Sequence, residues 1–145
     1  MKTRISIALL TLAALVLTIT LQAQTPTPSG SLFTINVPFS FVAGETTLPP
    51  GQYTVSHFPN SDWILFRNDD GHSIAMLQIM ASSAPRGQSG NSKLVFNRYG
   101  ENYFLAQVWT ARSNQVDDCF KSSAERALAR GGQAPTQVGV VVYKP

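Results

Sequence analysis

The chain has 145 residues, of which 43% are apolar, 13% charged and 10% aromatic, with one cysteine and a formal charge of +3. This composition excludes a disordered chain, a collagen and a disulfide-stapled mini-protein. The length fits a single globular core.

Lys2 and Arg4 precede an uncharged, largely apolar run over residues 5–21, and Leu21-Gln22-Ala23 follows it. This three-part order predicts a secretory signal peptide over residues 1–23, cut after Ala23. The run falls short of the roughly 20 residues that span a bilayer, so an uncleaved anchor is the alternative. The only cysteine, Cys119, lies far downstream, which leaves no acceptor for an amino-terminal lipid. Removal of the first 23 of 145 residues leaves 122, with nine basic against eight acidic side chains, a net charge of about +1. The basic excess that would suggest nucleic acid or an anionic surface therefore vanishes. All 14 aromatic residues stay in the mature part.

Residues 24–30, Gln-Thr-Pro-Thr-Pro-Ser-Gly, contain no apolar side chain and read as an exposed leader. Over 32–42, Phe33, Ile35, Val37, Phe39 and Phe41 alternate with polar neighbours, the period of a strand with one buried face. Pro38 cannot donate a ladder hydrogen bond, so this strand is expected at an edge or at a bulge. Residues 43–51 are turn material leading into a second strand over 52–58. Leu48-Pro-Pro-Gly-Gln-Tyr53-Thr-Val55 resembles the Leu-Pro-x-Gly-x-Tyr-x-Val turn of extracellular β-sandwich modules. That resemblance implies a β context and no activity.

A turn over 59–62 separates a third strand, 63–67, and Asn68-Asp69-Asp70-Gly71 is a hairpin signal before a fourth strand over 72–80. Ile74 and Met76 on one side and Ala75, Leu77 and Ile79 on the other predict a central strand, apolar on both faces. After a Ser/Gly/Pro-rich loop over 81–91, residues 93–99 and 103–111 form a second hairpin around Gly100-Glu101-Asn102. The period then changes. Ser122-Ser-Ala-Glu125 is a capping box, with Glu125 expected to reach back to the Ser122 N–H, and a helix over 122–130 ends at Gly131-Gly132. A valine-rich strand over 136–143 closes the order.

This predicts an all-β domain over 31–145 with one short helix. The arrangement expected is an antiparallel barrel, lipocalin-like in its order of elements, closed by pairing of the last strand with the first; a β-sandwich is the alternative. Val37-Pro-Phe-Ser-Phe41, Leu48–Tyr53, Phe96-Asn-Arg-Tyr-Gly100, Tyr103-Phe-Leu, Val108-Trp109 and the 122–130 helix together resemble a group of small exported bacterial proteins of acidobacterial type. The resemblance spans roughly 100 residues. It implies export to the periplasm or beyond, and no catalytic or binding residues come with it.

Candidate chemistry is sparse. His57 and His72, the only histidines, lie near turns without metal-ligand spacing and read as strand-end residues, so no metal and no cofactor is implied. Cys119 follows Asp117 and Asp118, whose charges oppose the thiolate a nucleophile requires. It reads as a free, partly buried thiol, with a disulfide-linked dimer as the alternative. The pairs Asp69-Asp70 and Asp117-Asp118 are assigned to turns and caps. Arg67, Arg98, Arg112, Arg126 and Arg130 are assigned to surface ion pairs. No Gly-x-Ser-x-Gly elbow or phosphate-binding loop occurs.

Tyr99, Tyr103, Phe104 and Trp109 are the candidate ligand-binding residues, against an apolar molecule in a barrel or a sugar ring on a sheet face, with ordinary core packing as the plain reading. The function expected is that of an exported, non-enzymatic β-domain, a binding or structural module. A carrier of a small apolar ligand is the alternative, and a hydrolase-type enzyme ranks third.

Overall fold

Short runs of β-branched and aromatic residues, interrupted by Gly, Pro, Asn and Asp, form ten strands and one helix in the computed structural model, which describes residues 29–83, 90–111 and 115–142. The expected signal peptide over 1–23 lies outside the described residues, as does the leader up to residue 28. Ser29 and Gly30 already belong to the first strand.

β1 (Ser29–Val37) pairs antiparallel with β4 (Gly51–His57), β4 with β5 (Trp63–Asn68), and β5 with the first half of β6 (Ser73–Ser83). The second half of β6 pairs with β9 (Gln115–Cys119), which continues into β8 (Asn102–Thr110), β7 (Lys93–Tyr99) and β10 (Thr136–Val141). A short hairpin of β2 (Phe41–Ala43) and β3 (Thr46–Leu48) joins β8 through one parallel bridge, Val42 to Phe104.

The alternation over 33–41 is realised, but one predicted strand becomes two. At Pro38 the chain leaves β4 and passes to β8 on the facing leaf, where a residue without an N–H removes no ladder bond. β1 is an edge strand among the described residues, as Pro38 led us to expect; its bulges lie between Ser29 and Phe33, away from Pro38. Residues 43–51, read as turn throughout, include β3. The Tyr53 hydroxyl donates to the Pro49 carbonyl, which ties the Leu48–Val55 turn to its own strand.

All-β architecture with one helix is thus correct, while barrel closure is not. β10 pairs with β7 and makes no ladder with β1, and the sheet stays open between its two ends. The sheet folds over on itself instead, as the sandwich alternative allows. The core draws Phe33, Ile35, Tyr53, Val55 and Phe66 from one leaf and Leu94, Phe96, Leu105 and Val108 from the other. Phe41 stands at the centre, its ring meeting Tyr53, Phe66 and Phe96 edge-on at centroid distances of 5.5, 6.2 and 5.2 Å. The interior is filled by rings.

β6 is central, as expected, yet only Ala75, Leu77 and Ile79 are buried. Its other face carries Met76 at 55% and Met80 at 58% exposure, so the sequence pattern of two apolar faces does not mean two buried ones. α1 (Ser123–Arg130) packs on the outer face of β7 and β8. The Ser122 hydroxyl accepts from the Glu125 N–H at 3.0 Å, half of the predicted capping box. The Glu125 carboxylate goes elsewhere, accepting from Asn97 Nδ2 at 2.7 Å and the Tyr99 hydroxyl at 3.4 Å. Being buried, it is held by the sheet beneath rather than by the helix end. Glu45, in the β2–β3 turn, accepts from the Ser123 N–H and hydroxyl at 2.8 and 2.6 Å, a clamp on the same helix terminus.

Candidate functional site

The four aromatic candidates do not converge. Arg98 opposite Tyr103 and Tyr99 opposite Asn102 place the two tyrosines on opposite faces of the β7–β8 hairpin. Tyr99 and Phe104 are buried together, rings 5.8 Å apart, on the face that carries α1. Burial raises the Tyr99 hydroxyl pKa, reinforced by the charge of Glu125 and its hydrogen bond. Tyr103 stacks on Phe39 at 4.0 Å at the margin of the core. Trp109 points outward beneath the Lys93 ammonium, 4.1 Å from its ring, and donates to Gln107 Oε1. The roles are packing and surface contacts rather than one shared pocket.

The titratable candidates are likewise dispersed. His57 ends β4 opposite Ile64, whereas His72 follows the β5–β6 turn beside Asn68, which pairs with Tyr53. Four residues of β4 separate the two ends, roughly 13 Å along the strand. Among the described residues, no three His, Cys, Asp or Glu side chains are grouped to hold a metal ion. Asp69 and Asp70 occupy the expected turn, in which Gly71 adopts φ +78° and Asn68 binds both the Gly71 and His72 amides.

Asp117 and Asp118 are not in a turn. They sit within β9, paired with Ala81 and Met80 on one side and with Val108 and Gln107 on the other. Glutamine amides make this tolerable: Gln115 donates to Asp117 at 2.6 Å and Gln107 to Asp118 at 2.7 Å. Burial still raises the Asp117 pKa; the Gln115 bond and the charge of His57 hold it down, while Asp118 and Asp62 push it up. Cys119 packs against the core, and burial first, then Asp117, Asp118 and Glu125, drive its thiol pKa far upward. Thiolate chemistry, disulfide exchange included, is disfavoured there. Of the arginines, Arg98 forms an ion pair, with Glu101 at 3.3 Å. Arg126 and Arg130 instead donate to the carbonyls of Lys121 and Arg126, and Arg112 lies outside the described residues.

Two surface features remain beside these. Among the described residues, Trp63, Met76, Met80 and Phe120 are the exposed large apolar side chains. Register unites them, because Trp63 lies opposite Gln78 and the β6–β9 ladder, continued one step past Cys119, brings Phe120 to the other side of Gln78. A polar recess of about 210 Å³ lies between α1 and the sheet, lined by Asn97, Gln107, Asp118 and Glu125.

A recess larger than this one lies elsewhere. A cleft of about 500 Å³ runs between β1 and β10, lined by Thr34, Ile35, Asn36 and Pro38 on one bank and 139–142 on the other. Its size lies within the range of ligand pockets. Both banks are sheet ends: among the described residues β1 pairs only with β4, and β10 only with β7. Neither bank carries a charged side chain anywhere along its strand. Such edges are ordinarily guarded by lysine, proline or a covering loop. Sequence reasoning marked β1 as an edge through Pro38, but nothing local marks which strand faces it. Comparison with family models, curated proteins and solved structures finds no match to this chain.

Proposed function

We propose that the protein is an exported, non-enzymatic β-domain acting as a binding or structural module, with the β1–β10 cleft as its binding surface. The cleft between two uncharged strand edges, each unpaired on that side among the described residues, carries this reading. The charged n-region, apolar run and Ala23 site support export. The distance of His72 from His57, and the raised pKa of Cys119, support binding over catalysis. The ring cluster around Phe41 occupies the space in which a carrier would hold an apolar molecule, and so favours the module over that alternative.

Intact mass of the protein recovered from the periplasm or medium of an expressing bacterium tests export, the expected species beginning at Gln24. Amide chemical shifts of that species, titrated separately with short peptides, oligosaccharides and fatty acids, test the cleft. Perturbations centred on 34–38 and 139–142 are expected from at least one class. Shifts confined to other surfaces, or turnover of an ester, glycoside or peptide substrate that is lost in His72→Ala or Cys119→Ala, refute the reading.

A further inference from the structure

We infer that the ligand of the β1–β10 cleft is an extended polypeptide segment of another protein, added as a strand between the two edges; this rests on the binding reading above. Among the described residues each edge has a ladder partner on one side only, so backbone N–H and C=O groups at alternate residues are left on the cleft side; an extended backbone is the ligand that satisfies two such rows at once. Small apolar molecules and sugars lack that repeat.

The banks also specify side chains. Ile35 and Val140 face the core, so alternate residues of the incoming strand are apolar. Thr34 and Asn36 are exposed, so the residues between are polar. Gly139 faces outward opposite Val95, and a Cβ built there meets nothing within 4 Å, which leaves room for a large side chain at that step. Each bank offers about four residues, a ladder on the order of 13 Å, so a segment of four or five residues fills it.

Direction follows from topology. Seven successive antiparallel pairings lead from β1 to β10, so these two strands run oppositely. An inserted strand is antiparallel to one bank and parallel to the other. The leader over 24–28 and a second copy's β1 or β10 fit less well. In the leader, Pro26 and Pro28 remove N–H donors at alternate positions, leaving one side of it without a ladder. A second copy's β1 or β10 has one edge already occupied by its own β4 or β7, so it can satisfy one bank and not both.

The test uses the mature chain from Gln24 and a pool of acetylated heptapeptides that alternate Val, Ile, Phe or Tyr with Thr, Ser or Lys. Binding is expected to slow amide hydrogen exchange by tenfold or more at Gly139 and Val141 and at alternate amides of 34–37, whereas Val142, whose N–H already donates to the Ser92 carbonyl, is not expected to change. N-methylation of either alternate set of amides in the best peptide is expected to weaken binding at least tenfold, because each set serves one bank. Equal binding of the methylated peptides in the cleft overturns strand addition and leaves the cleft as a binding surface. Absence of any peptide effect at the cleft also overturns it, and the oligosaccharide and fatty-acid titrations then decide the binding reading separately. Concentration-dependent dimerisation protecting the same amides without peptide would overturn it in favour of a second copy.

Discussion

Replacing Phe41 with alanine probes the claim that the interior is full. The side chain is 1% exposed and touches the rings of Tyr53, Phe66 and Phe96, which belong to three other strands. Burying a phenylalanine and then deleting it costs about 3–5 kcal/mol, through lost transfer free energy and the residual cavity. Edge-on ring contacts contribute about 0.5–1.5 kcal/mol each within that figure. The neighbouring rings are held by the ladders of β4, β5 and β7 and cannot easily collapse inward, which places the loss near the upper end, about 4–5 kcal/mol. For a domain of this size, at about 4 °C per kcal/mol, the melting temperature should fall by roughly 15–20 °C. Urea unfolding of Phe41→Ala against the parent, with the slope unchanged, measures it. Benzene should recover part of the loss, as apolar cavities of such origin stay dry and accept it. A loss under about 1.5 kcal/mol would mean that the interior already has slack, and the case against an internal ligand would fail.

Asp117→Asn tests the buried carboxyl in β9. Its folded-state pKa is raised from 3.8, so the stability it contributes is complete below that value and is lost as pH rises through the folded pKa. The stability of the variant relative to the parent should therefore climb with pH across that window, read from urea midpoints at a series of pH values; a flat or falling difference refutes the assignment. Cys119 should resist a disulfide reagent in the native protein and react within seconds in 6 M guanidinium, followed by absorbance, since burial and three carboxylates oppose its thiolate. Rapid native labelling would contradict its packing against the core.

Much of the fold was legible where local chemistry decides it. Phe33 to Phe41 alternate, Asn68 to Gly71 turn, and Ser122 caps a helix, each through interactions within a few residues. β9 was invisible because aspartate is poor in strands, and what admits Asp117 and Asp118 are glutamine amides, one of them from Gln107 on the neighbouring strand. The aromatic hairpin looked like one site because sequence proximity hides the alternation that sends Tyr99 and Tyr103 to opposite faces. The cleft depends on which strands stay unpaired after all others have found partners. That is a property of the whole topology, and closure of the last strand on the first was the natural but mistaken expectation.

The exposed strand face has a chemical consequence of its own. The chain has three methionines, and apart from Met1 they are Met76 and Met80, on the same side of β6 beside Trp63 and Phe120. An oxidant in solution reaches both thioethers without opening the core. Conversion to sulfoxides turns this apolar face into a polar one while Ala75, Leu77 and Ile79 beneath it stay packed. The stickiness of one side of the domain thus depends on redox history, independently of whether the domain is folded.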